Sequence, residues 1–293
     1  MKFVLVVLAL VADRFAARLD DWRQPRWFDA YWKLLHERLN GVALWDGTLG
    51  ALVGVGLPAL AAWLLVALLT AAWPLLGALA AIAVLLAALG PRNLHREVES
   101  YLAAVREGRH AEAELAARRI TRRDTLPAAG QERHEAVIDG LLIEAHERLF
   151  GVVFWFVLLG PLGAALYRSA VLFEDLSRRE YPDDSAIARA AVRLHGILAW
   201  LPVRLLALSY GLAGSFEDAL ADWRGYTEGC TVPFYATNSE VLRCAGHGAL
   251  RLDPEDEENG GLAGVTAAIG LTDRALIVWL VVLALFSLAG MVI

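Results

Sequence analysis

From Gly47 to Pro91 the chain reads GTLGALVGVGLPALAAWLLVALLTAAWPLLGALAAIAVLLAALGP, forty-five residues without one charged side chain between Asp46 and Arg92. A bilayer crossing needs about 20 consecutive apolar residues, so the run holds two crossings. Trp73-Pro74 is the tight turn between them. Ala275 to Ile293 adds a further 19 uncharged residues as a C-terminal span. The stretch Phe3–Ala12, closed by Asp13-Arg14, is short for a crossing. It resembles a signal-peptide core in length, but one Lys and a poor small-residue cleavage pattern point to an uncleaved first span or partial span. A hydrophobic fraction of 57% agrees with an integral membrane protein.

Two further apolar segments carry a charge where membrane depth is expected. Gly196 to Phe216 reads GILAWLPVRLLALSYGLAGSF, with Arg204 its single charge and Pro202 two residues before it. Leu149 to Phe173 is charge-free apart from Arg168 and is interrupted at Gly160-Pro161-Leu162-Gly163. An arginine at the centre of a membrane segment costs about 2.5–3.5 kcal/mol on insertion scales, so it normally has a partner or a task. Broken backbone at membrane depth is tolerated where protein or a water-filled cavity surrounds it. Together these features predict a polar pocket formed by two broken or re-entrant segments.

Arginine placement sets an expected orientation. Residues 13–46 carry Arg14, Arg18, Arg23, Arg26, Lys33 and Arg38, and residues 92–148 carry ten arginines and no lysine. The turn at Trp73 carries neither. By the positive-inside tendency, both basic segments are cytoplasmic. If each broken segment fully crossed, Arg178, Arg179, Arg189 and Arg193 would lie outside, so re-entry is the preferred reading. Within 92–148, Glu97–Val105, Ala111–Thr121 and Arg133–Arg148 read as amphipathic helices, with a joint at Gly108 and interleaved acids and bases. The tract Asp253 to Gly261 reads as an acidic linker.

The expected fold is therefore all-α: a polytopic membrane helical bundle with a cytoplasmic helical domain and two broken apolar segments. Its parts are spans in 1–91 with a cytoplasmic loop at 13–46, and a cytoplasmic helical domain at 92–148. Broken pocket-forming segments follow at 149–216, then a cytoplasmic segment with the acidic linker at 217–274, and a final span at 275–293. A net charge of −6 gives no electrostatic case for nucleic acid. Cys230 and Cys244 have no metal-ligand spacing and read as free thiols. The chain has no G-x-x-x-x-G-K-[ST] loop and no Gly-x-Ser-x-Gly arrangement. His134-Glu135 and His146-Glu147 lack metal-helix spacing and read as a solvated helix face.

Three short stretches are informative as an ordered set: Arg123-Asp124-Thr125, Tyr167-Arg168 after the Gly-Pro break, and Trp200-Leu201-Pro202-Val203-Arg204-Leu205. They resemble the CobD/CbiB superfamily of membrane proteins, which includes the adenosylcobinamide-phosphate synthases. That family shows G-R-D-T, then an apolar segment ending A-L-A-Y-R-A, then W-I-P-A-R-L. Three departures stand beside the matches. The family's E-N-x-x-D-G falls on Ile143-Glu144 through Glu147-Arg148, and its N-T-L-D falls on Val171-Leu172-Phe173-Glu174. Its S-P-N-x-G-x-P falls on Ala236-Thr237-Asn238-Ser239-Glu240-Val241-Leu242. Trp155, the Trp200–Leu205 motif, Ala219-Leu220-Ala221-Asp222-Trp223 and Ser239–Arg243 resemble the AmpE branch, inner-membrane proteins linked to β-lactamase regulation.

That resemblance implies, first, a bacterial inner-membrane regulator or sensor of the β-lactam response, acting through a ligand or a membrane or periplasmic protein partner, with an enzyme the less favoured class. The alternative is a membrane-embedded ligase or transferase dependent on ATP and Mg²⁺, and a transporter is weaker still. Candidate ligand residues are Arg123, Asp124, Thr125, Tyr167, Arg168 and Arg204, since guanidinium groups in a low-dielectric pocket bind a phosphate-bearing ligand bidentately. Asp124, Glu144, Glu147 and Glu174 are the candidate metal ligands, because Mg²⁺ takes carboxylate oxygens. Against these stand plainer readings: an N-cap for Asp124-Thr125, an interfacial anchor for Tyr167, and an acid-paired or snorkelling Arg204.

Overall fold

The computed structural model describes residues 2–15, 26–39, 47–90, 94–123, 125–251 and 259–290. Asp124 and most of the acidic tract lie outside the described residues. The regular elements described are all helical. In chain order they are α1 (Lys2–Phe15), α2 (Arg26–Leu39), α3 (Thr48–Ala72), α4 (Pro74–Ala88), α5 (Leu94–Arg106), α6 (His110–Thr121) and α7 (Gln131–Ala145). A π-helical turn, His146–Phe150, leads to α8 (Gly151–Leu159), α9 (Pro161–Glu180), α10 (Ala186–Ala213), α11 (Phe216–Glu228), α12 (Asn238–Leu250) and α13 (Gly264–Leu288). Three helical stretches among the described residues are long and apolar enough to cross a membrane: Thr48–Ala72, Ala186–Ala213 and Gly261–Leu288. Pro74–Ala88 is apolar but shorter. The chain is a helical membrane protein.

The chain divides into two compact units. The first comprises Met1–Pro91, Glu147–Trp200 and Leu285–Ile293. Here α3 and α4 form the expected hairpin, with Trp73 in extended conformation (φ −159°, ψ 123°) and its N–H donated to Leu69 O at 2.9 Å. Pro74 then starts α4, where a missing N–H costs nothing. The basic loop expected at 13–46 contains α2, an amphipathic helix that docks. Phe28 and Trp32 of α2 join Ala51 and Val55 of α3, Phe173 and Leu176 of α9, and Ile187 and Ala191 of α10 in one buried apolar cluster. The Trp32 and Phe173 rings meet edge-on at 4.6 Å, and Trp32 Nε1–H donates to Tyr181 Oη at 3.0 Å. A Cβ at Gly54 would stand 2.6 Å from the Trp32 ring, so only glycine lets α2 and α3 close this far.

One of the two expected interruptions is present. Gly160 sits at φ +66°, ψ −148°, ends α8, and hands over to Pro161 as the first residue of α9. Such a backbone is essentially open to glycine alone. The other interruption is absent: Pro202 lies inside α10, which runs unbroken for 28 residues. The reason is local. A proline inside a helix removes the hydrogen bond to the carbonyl four residues earlier, here Leu198. That carbonyl accepts the Trp155 Nε1–H at 3.0 Å instead. Pro58 inside α3 is treated the same way, for the carbonyl it orphans, Gly54 O, accepts the Tyr31 hydroxyl at 3.1 Å. Freed backbone acceptors at membrane depth need such replacement partners.

The second unit comprises Arg92–His146 and Leu201–Ala284. Its three-helix portion matches the amphipathic pattern, with Gly108 at φ +70° between α5 and α6. Tyr101, Ala117, Ile120, Val137, Ile138 and Leu141 are buried within it. The C-terminal helix starts at Gly264, earlier than the uncharged run. It keeps Asp273 and Arg274 because both have partners: His95 Nε2 at 2.9 Å from Asp273, and Ala213 O accepting from Arg274 Nε at 2.9 Å. Cys230 and Cys244 are free and half-buried.

Candidate functional site

In the first unit, α9 brings Tyr167, Glu174 and Arg178 onto one helical face, spaced at i, i+7 and i+11. Facing them is His195 of α10. Glu174 and His195 are buried, and Tyr167 is wholly enclosed. The Glu174 Oε2 meets His195 Nδ1, Arg178 Nη2 donates to Glu174 Oε1, and His195 Nε2 lies 3.3 Å from the Tyr167 hydroxyl. An ionised carboxylate only accepts hydrogen bonds. In the neutral imidazole it therefore fixes the proton on Nδ1 and leaves Nε2 to accept from Tyr167. Gly151, at the start of α8, lies against the Tyr167 ring, where any side chain would collide. Tyr167 is thus an interior hydrogen-bonding residue rather than an interfacial anchor.

Arg168 is buried next to this chain of groups on α9. Glu147, on the π-turn, and Asp175 act electrostatically on Arg178. The sequence assigned Glu147 and Glu174 to a metal. Glu174 instead has its two oxygens engaged by His195 and Arg178. Among the described residues no group of three or more His, Cys, Asp or Glu side chains is arranged to hold a metal ion.

In the second unit, Arg204 of α10 is held by the residues that open α12. Its Nη2 donates to Thr237 Oγ1 at 2.5 Å, and its Nη1 donates to Asn238 Oδ1. Those two are positioned in turn by backbone: Thr237 Oγ1 donates to Phe234 O at 2.8 Å and Asn238 Nδ2 to Tyr235 O at 3.3 Å. Both partners are neutral hydrogen-bonding groups, and the two bonds orient the guanidinium.

The remaining candidates are placed separately. Glu144, buried on α7, forms an ion pair with Arg122 at 2.6 Å. Arg123 is exposed, and its backbone N–H reaches Thr121 Oγ1 at 3.3 Å. Thr125 is exposed and is not an N-cap, because α7 begins after Gly130. His134, read as solvated, bonds through Nδ1 to the Tyr101 hydroxyl at 2.8 Å. Burial pushes that hydroxyl up to about 12, against a smaller pull downward from Arg133.

A cluster on α7 and α12 was not anticipated. Asp139 accepts from His247 Nε2 at 2.8 Å and pairs with Arg243 Nε at 2.9 Å. Burial opposes its charge, but the hydrogen bond from His247 and the Arg243 guanidinium outweigh it and hold the carboxyl below its ordinary range.

A family model described as CobD/Cbib protein matches residues 6–256. The chain belongs to the CobD/CbiB family. It is 34% identical over 174 residues to the cobalamin biosynthesis protein CobD of Chromobacterium violaceum, covering 58% of this chain and 53% of that protein. It is 29% identical over 170 residues to the CobD of Stutzerimonas stutzeri, covering 58% and 54%. With the cobalamin biosynthesis protein CbiB of Salmonella paratyphi A, identity is 24% over 187 residues, covering 64% and 56%. The matched region thus spans a little over half the length of these curated relatives. No solved structure matches the chain.

These relatives overturn two expectations. All three carry cobalamin-biosynthesis names, which corrects the AmpE-type regulatory reading and the lean away from an enzyme. Glu147 stands at the aspartate of E-N-x-x-D-G and Glu174 at the aspartate of N-T-L-D, so a carboxylate persists at both positions. Asn238 stands at the asparagine of S-P-N, and the structure hands it to Arg204.

Proposed function

We propose that this family member is a membrane-embedded ligase or transferase of the cobalamin-pathway kind, acting on a phosphate-bearing substrate. One observation carries the reading. Arg204 and Asn238 come from two separate family motifs, 34 residues apart, and meet through a direct hydrogen bond in the second unit. A guanidinium presents a planar fork of donors, and that fork is suited to an anion such as phosphate. Arg123 and Thr125, in the same unit, are the further cation and hydroxyl proposed for this substrate, with Asp124 beside them in sequence. Tyr167, His195 and Glu174 are positioning groups that hold α9 against α10 and fix the His195 tautomer.

ATP and Mg²⁺ are the co-reactants that the family resemblance suggests. The described carboxylates do not fit a Mg²⁺ site as they stand, since Glu174 is committed to His195 and Arg178 and Glu144 to Arg122. No step is assigned to the metal. The proposed location is the bacterial inner membrane with the basic segments cytoplasmic.

The test is restoration of cobalamin synthesis in a Stutzerimonas stutzeri strain lacking its CobD. The wild-type chain is expected to restore it, Arg204→Ala to abolish it, and Arg204→Lys to weaken it, because a lysine lacks the planar fork. A chain that inserts stably yet never supports cobalamin formation defeats the reading.

A further inference from the structure

We propose that the connection between α11 and α12, residues 229–236, is a membrane-contacting element whose apolar tip seats at the acyl–headgroup boundary. From Gly229 to Ser239 the sequence GCTVPFYATNS is free of charge, and Glu228 and Glu240 bracket it. A surface loop in water is normally polar, yet this one turns its apolar side chains outward: Val232 is 50% and Phe234 56% exposed. Pro233 and Ala236 are exposed beside them. Contiguous apolar surface of this kind marks a protein or membrane contact.

The tether to Arg204 selects the membrane. Thr237 and Asn238, the next residues in the chain, are bonded to the Arg204 guanidinium. Arg204 belongs to a helix long and apolar enough to cross a bilayer. On this part of α10, Leu201, Leu205, Leu208 and Leu212 form an exposed stripe at i, i+4, i+7 and i+11, the face a membrane helix turns to lipid. Two side-chain bonds on Thr237 and Asn238 therefore tether the 229–236 segment to a helix that carries a lipid-facing stripe. The tip chemistry suits the acyl–headgroup boundary: Phe234 and Tyr235 pair edge-on with ring centroids 5.6 Å apart, and tyrosine concentrates where acyl chains meet headgroups. The flanking acids Glu228 and Glu240 limit how far the segment enters. This assignment rests on the tether and the exposed side chains and is independent of the reaction proposed above.

The test uses the full chain with Cys230 and Cys244 changed to serine, carrying one cysteine at Val232→Cys or, separately, Phe234→Cys. Each is labelled with an environment-sensitive fluorophore and reconstituted into vesicles of phosphatidylcholine and phosphatidylglycerol. Glu112→Cys, on the exposed face of α6, is the reference. The expected result at either tip position is blue-shifted emission, at least a twofold loss of quenching by aqueous iodide, and quenching by lipids bearing a shallow nitroxide. Emission and iodide quenching equal to the Glu112 label at both positions overturns the proposal. A blue shift with no nitroxide quenching at either position also overturns it, because protein rather than lipid then covers the tip.

Discussion

Two apolar segments of this chain look alike and fold differently. The segment through Gly160-Pro161 stops one helix and starts another, whereas the segment through Pro202 is carried through a single helix of 28 residues. Both contain a proline and one arginine, and both are apolar otherwise. The difference lies in what surrounds the proline. At 160–161 glycine supplies a backbone that no other residue adopts comfortably, so the chain turns. At Pro202 a tryptophan on α8 takes the carbonyl that the proline leaves behind, so the helix continues. The acceptor four residues before Pro161, Val157 O, has a partner too, Lys2 Nζ at 3.1 Å, so the break there is set by the Gly160 backbone and not by an orphaned carbonyl.

The two segments are joined through the buried Glu174–His195 contact, and breaking it has the largest expected effect. Glu174→Ala leaves Arg178 and His195 without their carboxylate, a loss of about 3–5 kcal/mol for a broken buried pair. The measurement is thermal unfolding in detergent micelles. An unchanged midpoint would show that α9 and α10 do not depend on this contact.

Gly160→Ala comes next. Its positive φ and extended ψ cost an alanine about 1–3 kcal/mol, so lower stability is expected, whereas Gly225→Ala, on exposed α11, should be tolerated. Equal behaviour of the two variants would mean that the break is not set by the Gly160 backbone.

The sharpest dissection is Trp155→Phe, which removes the donor to Leu198 O and is expected to cost about 1–3 kcal/mol, the usual penalty for stranding a buried acceptor. In a Pro202→Ala background the helix regains its own N–H at position 202, so Trp155→Phe should then cost much less. Additive effects in this double-mutant cycle would refute the role given to Trp155.

The smallest expected effect lies away from both segments. Asp139 has its carboxyl held below the ordinary value of 3.8, so its contribution to stability is present above about pH 4 and is lost as pH falls through the lowered value. Acid titration of unfolding should be steeper for the wild type than for Asp139→Asn in that range. Matching curves would remove Asp139 from the account.

Much of the architecture was legible from the sequence. The uncharged run from Gly47 to Pro91 announced a helical hairpin, and the amphipathic spacing in 92–148 announced three helices, because both signals depend on neighbours along the chain. Arg204 was legible as a charge needing a partner. The partner itself was hidden: Asn238 lay inside a motif that otherwise departs from the family, and no local pattern ties it to position 204. His195 was missed because a single histidine at the edge of an apolar helix has no motif. The spacing of Tyr167, Glu174 and Arg178 on one face of α9 was the signal that could have led to it. Glu174 reads as a metal ligand in the sequence because its buried partner, His195, lies on another helix.

By itself, then, the sequence determined that this chain enters a membrane, that it is built from helices, and that Gly160 ends one of them. Those outcomes follow from apolar transfer and from backbone sterics, which act over a few residues. Only the tertiary structure decided that Pro202 does not interrupt α10, that Glu174 serves His195, and that Arg204 is oriented by Thr237 and Asn238. Each of those outcomes turns on one hydrogen-bonding group meeting another across the fold, as Trp155 meets Leu198 across 43 residues. Such meetings are set by packing, which no window along the chain contains.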